Sequence, residues 1–527
     1  MIGLPSLSNS LLKPQQVAEL MEKILDTPND QLADILGQVD SWKWPRSDLH
    51  TWIKVLNKLD EVLEEIIHEY DLDKIQKRDF EPSAKRTICE ILRFERLLLE
   101  NSTNRKTFNS YDVCPTFPDH TSTLIDSLQR LHSLFLTSDL DVLIFALNLL
   151  LRPAQQYSAQ PAVLQALNLS TPRLTSLAKR WPNLREYDLS FSGLVGDQSK
   201  ENVDKLARDA RAVHFSFYPK ESQEPSGEKK KAPAPEIDPF DSSLLQTPKK
   251  GATTGPGAPG PSTGSVVVHI DSQAIESRPV MTILAEAVET YATPEDERFE
   301  LLCRIRAAKA LIPDNVEVRE KLVTIRLLST AIFAHTHTES QAQSSIFIHE
   351  PDLVSHIAEL LQLDKGIDIQ IQTASVMALD ALCRYKNKIQ EVLTAVNAGV
   401  NHGILMALLR KTIAQAADPD SNIPQPFVEG LIAFVIFIAT HASGGNMVVG
   451  AGLVPLLVQI IENRLPQRLY VVSKAMQLVD NVLYGYTNAF QLFCNARGVD
   501  VLVARIEVSP PNWVHENSKR TIDTFVA

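Results

Sequence analysis

The stretch Asn397–Arg410, NAGVNHGILMALLR, decides the fold, because related stretches recur on either side of it. It places a glycine, Gly399, in a short polar connection just before an apolar run of helical length. Later copies begin at Gly452 and Gly498, and a copy without the glycine begins at Asp352. Each copy supplies an apolar helix face that needs a neighbour to cover it.

The spacing of these copies predicts stacked helices. The steps between Asp352, Gly399, Gly452 and Gly498 are 47, 53 and 46 residues, at or slightly above the roughly 40–47 residues of HEAT and armadillo repeats. In such a repeat a glycine with positive φ turns the chain from one helix into the next, and no repeat buries its apolar face alone. The sequence therefore predicts an all-α, armadillo/HEAT-like α-solenoid. An ordinary helical bundle with glycine-led helices is the alternative.

Length and composition fit a large protein with protein partners. A chain of 527 residues is too long for one compact core, and its 44% hydrophobic content is ample for packing. A formal net charge of −12 argues against broad nucleic-acid binding, which needs concentrated Lys and Arg. The five cysteines are odd in number and far apart, so they indicate buried thiols rather than a disulfide framework or zinc site: Cys89, Cys114, Cys303, Cys383 and Cys494.

Neither secretion nor a membrane span is expected. The N-terminus lacks the basic start and apolar core of a signal peptide. The most apolar run, Leu431–Ala439, is far shorter than the ~20 residues that cross a bilayer. We interpret this run as a central helix that is buried on all sides.

Three segments are expected in the chain. Residues 1–219 read as helices throughout, residues 220–265 as a disordered linker rich in Pro, Gly, Ser and Lys, and residues 266–527 as the armadillo-like block. In the first segment, helices are predicted around Trp52–Ile67, Ile88–Leu99 and Asp139–Leu151. The third should be central and should stop at Arg152-Pro153, because proline disfavours helical geometry in the residue before it.

The linker and its C-terminal boundary carry smaller signals. Lys229–Lys231 and Lys249-Lys250 are compatible with a split nuclear-import signal, although charge runs in such segments usually only solvate the chain. Val266–Ile270 is β-branched and predicts a short extended piece. A helix should begin at Thr293-Pro294-Glu295-Asp296, with the threonine as cap and the acids at the positive end of the helix dipole.

Several ordered pieces of the chain resemble the giant HECT-type ubiquitin ligases, in particular their fungal members. The opening of that family is matched at Trp42–Leu49 and on to Leu59-Asp60, and further pieces follow at Phe94–Asn101, Asn104-Arg105, Leu177–Trp181, Leu301–Lys309 and His402-Gly403. The resemblance implies that the full-length protein forms a ubiquitin thioester on a cysteine in a C-terminal domain and transfers ubiquitin to substrate lysines. It implies further that a ubiquitin-charged E2 enzyme binds only through that distant domain. No residue of this segment is therefore assigned a catalytic role.

Two groups of residues within the chain have side chains capable of chemistry. His335, His337, His349, Glu339 and Glu350 lie close in sequence, but among Thr, Ser and Gln they favour a solvated loop over a zinc site. Arg304 and Arg306 are compatible with an anion or an acidic partner, but they favour surface residues with apolar stems laid on the helices. No phosphate loop, nucleophile elbow or paired CxxC motif is present. We accordingly expect no catalytic, cofactor-binding or metal-ligating residue here, and no cofactor.

Two function classes remain open. In the first, the chain is the scaffold and substrate-recruiting solenoid of a HECT-type ligase, located in the cytoplasm, the nucleus or both, with protein substrates as partners. In the second, it is a non-enzymatic armadillo-type adaptor. Nuclear-import receptors line their groove with Trp and Asn, whereas the candidate groove helices here, ALDALCRYKN and KAMQLVDNVLYG, contain no tryptophan. The apolar residues Ile522, Phe525 and Val526 share one face of the last expected helix, which favours a solenoid that continues beyond residue 527.

Overall fold

The computed structural model describes most of the chain, and the described part is mostly helical. The described residues are 14–39, 49–72, 76, 78–101, 128, 130–157, 161–179, 211–217, 266–312, 315–337, 346–347, 350–465 and 468–508. The all-α prediction is thereby confirmed in its coarse form. The expected linker and the last expected helix lie outside the described residues, as do Cys114, His349 and Glu339.

Seven α-helices and one strand are described before residue 218. They are α1 (Pro14–Asp26), α2 (Leu32–Leu36), α3 (Ile53–Glu69), α4 (Pro82–Glu100), α5 (Leu140–Tyr157), α6 (Pro161–Leu169), α7 (Thr171–Ala178) and β1 (Val213–Phe217). The predicted helical spacing is confirmed in α3 and α4, where the apolar positions are the buried ones.

One strand and fourteen α-helices are described after residue 265. They are β2 (Val266–Ile270), α8 (Ser272–Ser277), α9 (Val280–Tyr291), α10 (Glu295–Ala310), α11 (Val316–Thr336), α12 (Leu353–Glu359), α13 (Ile369–Arg384), α14 (Ile389–Ala395), α15 (Ile404–Ala417), α16 (Gln425–Thr440), α17 (Ala442–Gly450), α18 (Leu453–Glu462), α19 (Leu469–Gly485), α20 (Ala489–Asn495) and α21 (Gly498–Val508).

Six long helices pack side by side in one ladder, in the order α4, α5, α11, α13, α16, α19. Neighbours run in the same direction, as contacts at both ends of a pair show. At their beginnings, Arg468 Nη1, just before α19, donates to Gln425 Oε1 of α16 over 2.6 Å. At their ends, Tyr486 Oη, just past α19, donates to Ala439 O over 2.9 Å. Shorter helices fill a second layer, in which α12 and α14 pack on α13, and α18 packs on α19.

The two sides of the 218–265 segment share one hydrophobic core. Leu143 and Leu147 of α5 belong to the same buried cluster as Leu327 and Ala331 of α11. Outside that core, Lys321 of α11 pairs with Asp141 of α5 at 2.8 Å. The domain boundaries at 219 and 265 stay a prediction, but the helices on either side of them are in direct contact.

β1 and β2 form a two-stranded antiparallel sheet across the same segment. The extended piece predicted at Val266–Ile270 is confirmed. The expectation of helices throughout residues 1–219 is wrong at β1, where Val213, Phe215 and Phe217 are buried and the two residues between them are exposed. This period-2 alternation is the pattern of a half-buried strand.

Two local expectations are wrong. Helix α5 does not stop at Arg152, because it runs on to Tyr157 with Pro153 inside it. An internal proline costs roughly 3 kcal/mol; here Pro153 is buried and Arg152 pairs with Glu100 at 2.6 Å, and both contacts stabilise this part of the helix. At α10 the residue before the helix is Pro294, and Thr293 makes no capping bond. The Thr293 hydroxyl is instead buried without a hydrogen-bond partner.

The glycine turns also differ from expectation. Gly452 does take a positive φ, of 100°, but at the other two copies the positive φ belongs to Asn397, at 50°, and Arg497, at 60°. Gly403, in the same turn as Asn397, is required by close packing rather than by a positive φ. A Cβ on Gly403 would lie 2.3 Å from the carbonyl oxygen of Asn397. Asparagine tolerates the left-handed region better than most residues do, so the turn does not depend on glycine.

The apolar run of α16 is central but not covered all round. Phe434, Val435 and Ile438 are buried, whereas Ala433 is exposed. Among the described residues, no single helix is long and apolar enough to span a membrane. Taken together, α16 and α17 reach that length and apolar content, but the chain bends by 111° between them.

Candidate interaction surface

The histidine and glutamate candidates are buried rather than solvated. His335, near the end of α11, is 6% exposed, and burial lowers its imidazole pKa to about 3. Glu350 is 8% exposed and pairs with Arg326 of α11. His337 stacks on Phe333 with ring centroids 4.4 Å apart. The solvated-loop interpretation is wrong for His335 and Glu350, because the end of α11 is a packed corner of the core.

The two arginines of α10 have different roles. Arg304 lies over the Phe215 ring at 5.1 Å, and its Nη1 donates to His214 O over 3.1 Å, so its stem does lie on the fold as predicted. Arg306 is only 2% exposed, and its three side-chain nitrogens have no hydrogen-bond partner apart from the weakly accepting Cys303 sulfur. Its interpretation as a surface residue is therefore wrong. Desolvation lowers the pKa of Arg306, and the neighbouring Cys303 opposes this shift.

The described cysteines are free thiols. Cys303 and Cys383 are buried as predicted, whereas Cys89 and Cys494 are half-buried. Burial raises the thiol pKa of Cys89 and of Cys303 to about 12 and raises that of Cys383 as well. Thiols in such surroundings stay protonated near neutral pH and are poor nucleophiles. Within the described ranges, no group of three or more His, Cys, Asp or Glu side chains is placed to hold a metal ion.

A charged cluster joins α4, α5 and α16. Glu100 accepts from Arg96 Nε at 2.8 Å and pairs with Arg152 Nη2 at 2.6 Å. These two arginines lower the pKa of Glu100 against the opposing effect of its burial. Glu429 of α16 lies within electrostatic reach of all three residues, and burial raises its pKa. The Arg152–Glu100 ion pair thus ties α4 to α5, and Glu429 of α16 lies in its electrostatic field.

The last three described helices carry an apolar exposed surface, which we call the α19–α21 face. Half of the ten exposed large hydrophobic side chains among the described residues lie here: Tyr470 (46% exposed), Tyr484 (78%), Phe490 (58%), Val499 (47%) and Val503 (48%). Val499 and Val503 are one turn apart on α21, and Tyr470 and Tyr484 share one face of α19. Exposed apolar groups concentrated in one region are typical of protein–protein contact sites.

The helices of this face were predicted from the sequence, but their exposed apolar side chains were not. The helix starting at Gly498 was predicted, and its valines were expected to pack inward. The exposed tyrosines of α19 could have been found from their spacing, since residues 470 and 484 fall on one helical stripe with Lys474 between them. Lys474 Nζ lies 5.6 Å from the Tyr470 ring centre, which fits a polar and aromatic contact surface.

Two family models match the sequence. "Domain of Unknown Function (DUF908)" matches residues 122–414, more than half of the chain. "Domain of Unknown Function (DUF913)" matches residues 473–520 and begins within α19. The first match begins before α5 and ends within α15, so it includes the ladder helices α5, α11 and α13.

Curated relatives match over nearly the whole chain. The chain is 25% identical over 506 residues to the E3 ubiquitin-protein ligase ptr1 of Schizosaccharomyces pombe, covering 94% of this chain and 14% of that protein. It is 24% identical over 502 residues to UPL1 of Arabidopsis thaliana, covering 94% and 12%, and 23% identical over 504 residues to HUWE1 of Mus musculus, covering 94% and 10%. The chain thus spans between a tenth and a seventh of the length of these relatives.

The order of the matched pieces, the two family models and the coverage of 94% of the chain all agree with the resemblance seen in the sequence. The chain belongs to the DUF908 family and corresponds to the N-terminal region of a giant HECT-type E3 ubiquitin-protein ligase.

Proposed function

We propose that this chain is the scaffold and substrate-recruiting arm of a HECT-type E3 ubiquitin ligase, and that its helical ladder is part of an armadillo-like solenoid. The observation that carries the proposal is the match of 94% of the chain to E3 ubiquitin-protein ligases that are seven to ten times longer, since the chain covers only 10–14% of them. In the full-length protein, a cysteine of the C-terminal domain forms the ubiquitin thioester and passes ubiquitin to substrate lysines.

The architecture supports a binding role. Six parallel helices in a ladder expose the ends and outer faces of many turns, and repeat stacks of this kind use such extended surfaces to hold proteins. The α19–α21 face is the part best suited to protein contact. Substrate proteins and the remainder of the ligase are therefore the proposed partners, and the ubiquitin-charged E2 binds elsewhere.

Cysteine chemistry within this segment is disfavoured. Cys303 and Cys383 are buried, and their raised thiol pKa values suppress the thiolate that a transfer reaction requires. With a ubiquitin-charged E2, the purified 527-residue chain is accordingly expected to form no reducible ubiquitin adduct. A robust thioester on this chain would overturn the proposed division of labour.

The decisive experiment compares two changes in the full-length ligase. Deletion of residues 1–527 should leave thioester formation with a charged E2 intact while ubiquitination of bound substrates falls, and replacement of the C-terminal cysteine should abolish both. An adaptor with no role in recruitment would leave substrate ubiquitination unchanged by the deletion. Loss of the thioester in the deletion variant would show that the segment is needed for catalysis itself. The proposed location, cytoplasm or nucleus or both, is tested by imaging the tagged full-length protein.

A further inference from the structure

Two histidines face each other on the exposed side of the β1–β2 sheet. His214 lies directly opposite His269 in the strand register. Their imidazole rings are 4.6 Å apart between centroids, and their Nδ1 atoms are 3.2 Å apart. Both residues are exposed, and the two Nδ1 atoms lie within hydrogen-bond distance of each other, so an ion that bound them would take the place of that hydrogen bond.

The sheet geometry explains why the rings are so close. Tyr291 Oη accepts from His269 N at 3.4 Å and donates to His269 O at 3.1 Å, so the backbone of His269 points away from β1. The carbonyl of His214 is likewise taken by Arg304. The two histidines therefore form a non-hydrogen-bonded cross-strand pair, the kind of pair whose side chains approach most closely.

The same contacts hold the pair rigidly. Tyr291 belongs to α9 and Arg304 to α10, so two helices fix the backbone behind the two imidazoles. The side chains on the other face of the strands, Val213, Phe215 and Val268, are buried in a small core with those helices. Ligands fixed by surrounding structure bind a metal more tightly than mobile ones do.

We propose that His214 and His269 form a binding site for a divalent transition-metal ion, with Zn²⁺ as the ion that its geometry fits. Imidazole nitrogens bind zinc at about 2.0–2.1 Å. Two such bonds to atoms 3.2 Å apart enclose an angle of roughly 100°, close to the tetrahedral angle that zinc adopts. Both imidazoles present Nδ1 to the ion and carry their proton on Nε2. Water fills the remaining positions, because both side chains face solvent.

The neighbouring side chains supply no third protein ligand. Asp271 follows β2, but its carboxylate accepts from Ala274 N at 2.8 Å as the cap of α8. Glu276 pairs with Arg211. The site is therefore a two-histidine site that clamps β1 to β2, the strands on either side of residues 218–265. It is distinct from the His335 corner, where the imidazole is buried.

The test is metal titration of the intact 527-residue chain. Zn²⁺ is expected to bind at one site on this sheet and to raise the thermal unfolding midpoint, because an ion that binds only the folded sheet stabilises it. Co²⁺ in the same site should give visible absorption bands, and Mg²⁺ should do neither, since it prefers oxygen ligands.

Matched variants locate the site. His214→Thr and His269→Thr keep a residue suited to a strand but remove the ligand, and each should weaken Zn²⁺ binding at least about tenfold. Tyr291→Phe should weaken it less, through loss of backbone support. His402→Ala, at another exposed histidine, should bind as the unaltered chain does. The proposal is wrong if Zn²⁺ binds with the same affinity and Co²⁺ spectrum when both strand histidines are replaced, or if the unaltered chain binds no Zn²⁺.

Discussion

Replacing Glu95 with glutamine should change how stability depends on pH. Glu95 faces the core from α4 and is 6% exposed, and its Oε1 atom is buried without a hydrogen-bond partner. Burial raises its carboxyl pKa from 4.5 to about 8, and no cation offsets the desolvation. The folded protein therefore keeps this carboxyl protonated at neutral pH, while the unfolded chain releases the proton.

The sign of the effect follows from proton counting. Between pH 4.5 and about 8 the folded state binds more protons than the unfolded state, so the free energy of unfolding falls as pH rises. Over the whole window, Glu95 lowers the free energy of unfolding by on the order of 4–5 kcal/mol. Between about pH 5 and about pH 7.5 the decrease is roughly 3 kcal/mol. Glutamine has the same shape as the protonated acid and cannot ionise. Glu95→Gln should therefore match the unaltered protein near pH 5 and exceed its stability increasingly above that.

The assay is urea unfolding followed by circular dichroism at several pH values from 5 to 8. The quantity of interest is the difference between variant and unaltered protein, because other groups titrate in the same window and cancel in the difference. Glu61→Gln, at an exposed glutamate on α3, is the control and should give no pH-dependent difference. If the Glu95→Gln curve runs parallel to that of the unaltered protein throughout, the carboxyl is ionised in the fold and the desolvation argument fails.

Three further predictions concern other parts of the fold. In the unaltered protein, His335 should make the free energy of unfolding fall as pH drops from about 6.5 to about 3, because the fold keeps this imidazole neutral while the unfolded chain takes up a proton. His335→Leu should remove this part of the pH dependence, which urea unfolding at acid and neutral pH measures. Gly445→Ala would place a Cβ 1.5 Å from Tyr486 Oη and should destabilise the protein by about 1–3 kcal/mol, less in a Tyr486→Ala background. Brief proteolysis should cut first between Lys220 and Ser265, and size-exclusion chromatography should find the two pieces still associated, since β1–β2 and α5–α11 join them.

Each of these has an outcome that contradicts it. An undiminished acid slope in His335→Leu would mean that the imidazole is charged in the folded protein. An unchanged unfolding midpoint for Gly445→Ala would mean that Tyr486 does not occupy the space beside α17. Primary cleavage inside Leu301–Leu409, or separation of the pieces after cleavage, would refute the proposed organisation around residues 218–265.

Helices were predictable from the sequence because their signal is local. The apolar positions of α3 and α4 repeat with the helical period and are the buried ones, so no knowledge of the partner was needed. The strand at Val266–Ile270 was predictable for the same reason. The strand β1 carries an equally local alternation at Val213, Phe215 and Phe217, and the helical reading of that region overlooked it.

The burial of charged residues was not predictable, because it depends on which helices meet. Arg306 lies on a helix with many charged residues, and it is buried because α10 packs among elements from other parts of the chain, α7 and α11 included. Glu350, which lies outside the described helices, is buried with Arg326 of α11 as its ion-pair partner. Nothing within a few residues of either position records those neighbours. The left-handed turns at Asn397 and Arg497 are likewise set by the helix ends they connect.

The pairing of β1 with β2 places Phe217 and Val266, the residues on either side of the 218–265 segment, directly opposite each other. For a flexible connection, doubling the number of residues between two fixed ends costs only about 0.6 kcal/mol. Evolution, or an engineer, could therefore lengthen this part of the chain greatly, or insert a complete folded module into it, while α5 and α11 kept their contact. Because the two flanking strands are paired, the segment between them is a natural place for new sequence to be added to this protein.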